Sequence, residues 1–111
     1  MIGGAHVMIF TKDEAADRAF LRDVLEVPCI DSGGGWLIFK LPPAELGVHS
    51  GDNGFHQVYF MCDDVEAFVR QMEAKGVATD PIAQQQWGRS TSVQLPGGGK
   101  LGVYQAQHAR P

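Results

Sequence analysis

The chain has 111 residues, 44% of them hydrophobic, and a formal net charge of −4, enough for one compact domain with a real core and too little for two. The acidic balance and the lack of a lysine or arginine cluster exclude a nucleic-acid partner, because nothing would release phosphate counterions in quantity. Cys29 and Cys62 show neither zinc-site spacing nor disulfide density, and no charged leader precedes a long apolar run, so a reduced cytoplasmic protein with no membrane partner is expected.

The first element, "GGAHVMIF", is β-rich and apolar on both faces and stops at Thr11-Lys12-Asp13. From residue 13 to 27, Ala16, Phe20, Leu21, Val24 and Leu25 fall on one helical stripe. Thr11 with Glu14 is a candidate capping box, and Pro28 ends the helix. Three short β-like runs follow, "PCIDS", "GWLIFKL" and "AELGVHS", divided by Gly33-Gly34-Gly35 and Pro42-Pro43. After "SGDNG" the pattern restarts with the strand "FHQVYFMC" and a helix over 63–76 whose stripe is Val65, Phe68, Val69 and Met72. Asp63 with Glu66 repeats the capping pattern, and Gly76 suits a helix end.

The two halves register on each other. His6 and His56 are offset by fifty, as are Asp13 and Asp63, and "LPPAELGVHS" at 41–50 returns as "LPGGGKLGVYQ" at 95–105. The chain therefore reads as a duplicated βαβββ module: module 1 over 1–50, a linker at 51–54, module 2 over 55–105 and a tail at 106–111. The tail "AQHARP" reads as flexible and His108 as uninvolved.

On His6, "FHQVYFMCDDVEAF", "WGRS" and "LPGGGKLGVYQ", the chain resembles the vicinal oxygen chelate superfamily of glyoxalase I, bleomycin and fosfomycin resistance proteins and extradiol dioxygenases. The resemblance runs from residue 2 to about 105. It implies an α+β fold in which two βαβββ modules form an open, curved mixed β-sheet barrel with the helices outside. It also implies a homodimer, with metal and small-molecule substrate on the concave face. His6 and His56 match metal-ligand positions in the first strand of each module, and Glu45 before Leu46 looks like the ligand of the first module's last strand. The final strand departs from the family, placing Gly102 where a carboxylate is expected. His49, two residues beyond Gly47 on the same face of the strand, is the other candidate for a third ligand.

Two histidines and a carboxylate suit non-haem Fe(II) and tolerate Mn, Ni or Zn, so the resemblance implies a divalent metal without choosing it. Glu45 and Tyr104 are the candidate catalytic residues. Trp36, Phe39, Trp87, Arg89 and the space at Gly102 make up the candidate substrate pocket, although these aromatics serve equally well as core. A histidine in an apolar strand is ordinarily a core or rim residue, and Glu45 ordinarily a solvated one. Two functions stay open: a metal-dependent lyase or dioxygenase acting on vicinal oxygens, and a metal-free protein that sequesters an aromatic or cationic compound.

Overall fold

The computed structural model describes residues 6–48, 50 and 56–110. Helix α1 spans Glu14–Ala19 and begins at Asp13, whose carboxylate accepts the Ala16 N–H at 3.1 Å. The cap is thus one carboxylate, not the expected box, because the Thr11 hydroxyl oxygen accepts the Asp13 N–H at 3.3 Å instead. The helix widens into a π-helical turn over Phe20–Val24. Glu26 then takes a left-handed conformation (φ 57°), the Val27 N–H returns to the Leu21 carbonyl at 2.9 Å, and Pro28 prevents continuation.

Strands β1 (Cys29–Asp31) and β2 (Leu37–Phe39) pair antiparallel, Ile30 opposite Ile38. Gly33, Gly34 and Gly35 all adopt positive φ in the turn between them, which any side chain would strain. The second module contains β3 (Tyr59–Met61), α2 (Val65–Ala74), β4 (Ala83–Gln85), β5 (Gly88–Gln94) and β6 (Lys100–Ala106). These strands form one mixed sheet in the order β3-β6-β5-β4, with β3 parallel to β6 and the other pairs antiparallel. This is the expected βαβββ unit. Asp64 caps α2 one residue later than expected, accepting the Ala67 N–H at 3.1 Å. Gly76 (φ 72°) closes the helix while the Val77 N–H bonds the Met72 carbonyl at 2.8 Å.

Both helices contribute to one core, in which Phe20 and Met72 pack with Val93, Leu95 and Leu101, flanked by Leu21, Val24, Leu25, Phe60 and Phe68. The apolar stripes read from the sequence are therefore the buried stripes.

The expected curved barrel is corrected by the sheet topology. Among the described residues the strands fall into a separate two-stranded and four-stranded sheet, and the larger one is open and unclosed. Closing it needs outer strands from the first module, yet residues 6–12 and 40–48 form none. Pro42 and Pro43 supply no N–H to a ladder and hold the chain in an extended turn. Phe10, Leu46 and Val48 consequently stay more than nine-tenths exposed.

Candidate functional site

The expected site residues separate onto the two faces of β3. Tyr59 lies opposite Gly102, and Met61 opposite Tyr104, across the β3–β6 pair. Strand alternation puts Tyr59, Gly102 and Tyr104 on the open face of the sheet, while Phe60, Leu101 and Val103 face the helices and the core. A methyl group at Gly102 would overlap the Tyr59 ring, so glycine there lets the ring lie against β6. Tyr59, Trp87 and Tyr104 meet edge to face, with centroids 5.6 Å (Tyr59–Trp87), 5.8 Å (Tyr59–Tyr104) and 5.0 Å (Trp87–Tyr104) apart. Each such pair adds about 0.5–1.5 kcal/mol beyond its buried area.

The chain's tail continues this cluster. His108 stacks on Tyr104 at 5.8 Å, with Nε2 2.9 Å from the tyrosine hydroxyl and Nδ1 2.9 Å from the Ala109 carbonyl. A carbonyl only accepts, so this network places the imidazole proton on Nδ1, and Nε2 accepts from Tyr104. Burial first, and then the Glu45 charge, raise the Tyr104 hydroxyl above its ordinary value, with Arg110 opposing them. At neutral pH it keeps its proton and donates. Arg110 pairs with Glu45 at 2.5 Å, and the Glu45 hydrogen bond holds the guanidinium above its ordinary value. The described part of the tail therefore contacts Glu45 through this ion pair. Arg89 is elsewhere: its guanidinium is 2.6 Å from Glu66 of α2.

On the other face of β3 lies a partly open cavity of about 510 Å³ lined by residues from 6–11, α1, β2 and β3. His6, Trp36 and Phe39 line it, together with Val58, Phe60 and Leu95 from the core side. The Arg18 guanidinium sits 4.8 Å over the Trp36 ring and is 3.5 Å from Glu14. Asp17 also lines this cavity, is 5% exposed, and gives one carboxylate oxygen to the Gly97 N–H at 2.6 Å.

The candidate metal ligands have these surroundings. His6 borders the cavity, Glu45 is paired with Arg110, and His56 is exposed before β3. The space at Gly102 holds the Tyr59 ring, and His49 lies outside the described residues. Among the described residues, no three His, Cys, Asp or Glu side chains are grouped to hold a metal ion.

Tyr59, Asp17 and His108 make contacts that the sequence pattern does not assign to them. Asp17 had a usable signal, since it precedes Phe20 and Leu21 by three and four residues and so lies on the apolar stripe of α1. Tyr59 and His108 had none, because their partners are distant in sequence or in an irregular tail.

No helix among the described residues is long and apolar enough to cross a membrane. No family model matches the sequence, and no curated protein does. Among solved structures, TnmS3, an antibiotic binding protein from Streptomyces sp. CB03234, is similar with a TM-score of 0.69 and 20% identity, covering 96% of this chain and 100% of that one. Lactoylglutathione lyase from Agrobacterium tumefaciens gives 0.67 and 19%, covering 93% and 92%. The fosfomycin resistance protein FosX from Listeria monocytogenes gives 0.62 and 20%, covering 96% of each chain. With the mixed four-stranded sheet and its helix, these likenesses establish that the chain has the fold of the glyoxalase and bleomycin-resistance proteins.

Proposed function

We propose that this protein binds a small, largely apolar aromatic compound and needs no metal ion to do so. The observation that carries the reading is the cavity of about 510 Å³ with its apolar and aromatic lining, a size within the roughly 300–1,000 Å³ of small-molecule sites. The donor set supports the metal-free form. Glu45 is already neutralised by Arg110, and the family's last carboxylate position is filled by the Tyr59 ring. A metal held by His6, His56 and Glu45 would have to displace Arg110 from Glu45. The fold likeness to TnmS3, an antibiotic binding protein, agrees with sequestration as the activity. The exposed Phe10, Leu46 and Val48 side chains support a second copy of the chain as partner, for which sedimentation equilibrium should give twice the chain mass.

The test is titration of chelator-treated protein with N-phenyl-1-naphthylamine, a neutral probe that brightens in apolar sites. Saturable binding is expected, weakened about tenfold by Trp36→Ala, equivalent to about 1.4 kcal/mol, and unchanged by added Fe(II), Mn(II), Ni(II) or Zn(II). Absence of saturable binding, or binding that appears only with metal, would overturn the reading.

A further inference from the structure

Past Ala106, where β6 ends, the chain does not run on in line with its strand. The Gln107 N–H still bonds the Trp87 carbonyl at 2.9 Å, and the Gln107 side chain accepts from Gln84 at 2.7 Å. A bend follows at His108. An extended strand would carry residue 108 about 13 Å beyond residue 104, at roughly 3.3 Å per residue. The His108 and Tyr104 rings are instead stacked, with centroids 5.8 Å apart. The tail therefore folds back toward the open face of the sheet, on which Tyr104 stands.

What holds the tail changes at Gln107. Among the described residues no backbone hydrogen bond joins it to the sheet beyond that point, and side chains take over. His108 Nε2 accepts from the Tyr104 hydroxyl at 2.9 Å, and Arg110 Nε donates to Glu45 at 2.5 Å. Each bond takes up a polar group that the open face would otherwise present. The Glu45 side chain is 21% exposed, while Leu46 beside it stands almost wholly in solvent. Arg110 is 46% exposed, so water and salt reach the pair. Such a pair is screened as ionic strength rises, the Debye length falling from about 30 Å at 0.01 M to about 3 Å at 1 M. The attachment is reversible in kind, unlike the β5–β6 ladder behind it.

We propose that residues 108–110 are a charge-held strap that closes the open face of the four-stranded sheet by occupying the Tyr104 hydroxyl and the Glu45 carboxylate, and that loss of the Glu45–Arg110 pair releases it. Gln107 is the fixed root on which the strap turns. Closed, the strap satisfies both groups within the chain. Open, it presents a hydroxyl, a carboxylate and the Tyr59, Trp87 and Tyr104 rings together to solvent. This face lies across the sheet from the cavity, so the device does not depend on which compound the cavity takes.

The experiment uses protein labelled with 3-fluorotyrosine, which gives two fluorine resonances because the chain has two tyrosines, Tyr59 and Tyr104. Tyr104→Phe assigns them, and a chain shortened to end at Gln107 supplies the open reference. At about 0.01 M NaCl the Tyr104 resonance of the parent should differ from that of the reference, and at about 1 M it should move at least halfway toward it. Arg110→Gln and Glu45→Gln should each make the same move at low salt. Exchanging the charges, Glu45→Arg with Arg110→Glu, should restore the parent position. Coincident Tyr104 resonances in the parent and the reference at low salt would overturn the proposal. So would a difference that neither salt nor Arg110→Gln removes, since the tail would then be a fixed part of the fold. Failure of the exchanged pair to restore the parent position would overturn it as well, because the strap would not be held by those two charges.

Discussion

Residues 46–48 and 101–103 are the same tripeptide, Leu-Gly-Val, and they end in opposite environments. Leu101 and Val103 are 1% and 2% exposed, whereas Leu46 and Val48 are 92% and 95% exposed. At about 1.5–3 kcal/mol for burying each such side chain, the second copy gains roughly 3–6 kcal/mol that the first does not. The difference lies upstream. In the second copy Leu95-Pro96 runs into three glycines, Gly98 takes φ 103°, and the Leu95 N–H meets the Gly99 carbonyl at 2.7 Å, so the chain reverses and β6 zips along β5. In the first, Pro42 and Pro43 remove two consecutive donors at the corresponding place. Identical strand residues thus acquire a strand only where the preceding turn delivers them to a partner.

The comparison breaks first at the buried leucine. Leu101→Ala should lower unfolding free energy by about 2–5 kcal/mol, while Leu46→Ala should stay within about 0.5 kcal/mol, both read from denaturant midpoints at fixed slope. Equal losses would mean that residues 46–48 are buried in solution. The glycines between those residues sharpen the contrast. A methyl at Gly102 meets the Tyr59 ring, whereas one at Gly47 meets nothing within 4 Å. Gly102→Ala should therefore cost about 1–3 kcal/mol as the ring is pushed aside, and Gly47→Ala should be neutral or slightly stabilising. Thermal melts of the two single variants separate these outcomes.

How much of this was legible in the sequence varies by element. The helix stripes depend on local periodicity, so Phe20, Phe68 and Met72 were placed in the core from spacing alone. The barrel was not recoverable, because closing a sheet depends on pairing between distant segments and a strand-like run carries no record of whether a partner reaches it. The site was partly legible. Trp36, Phe39 and His6 do border one cavity, while Trp87, Tyr104 and Gly102 lie on the opposite face of the sheet. That separation follows from the register of β3 against β6, in which Tyr59, not His56, faces Gly102.

A smaller effect concerns how the second module's sheet is anchored. The Ser92 hydroxyl and then Lys100 hold the Asp80 carboxyl below its ordinary value. A carboxyl whose folded value is depressed contributes stability above its unfolded value, and that contribution is lost as the pH falls through the folded one. Asp80→Asn should lower the melting temperature slightly at pH 7, and the gap to the parent should close in strong acid. A gap independent of pH would show that the charge is not what matters.

The central claim, that ligands enter the cavity on the core side of β3 and not the aromatic cluster on its open face, has a direct readout because the chain holds two tryptophans. Trp36 lines the cavity, and Trp87 packs against Tyr59 and Tyr104. In a nitrogen-proton correlation spectrum of the labelled, metal-free protein, saturating N-phenyl-1-naphthylamine should shift the indole resonance of Trp36, assigned with Trp36→Phe, and leave that of Trp87 in place. A shift confined to Trp87 would contradict the account and move the binding site to the open face of the sheet.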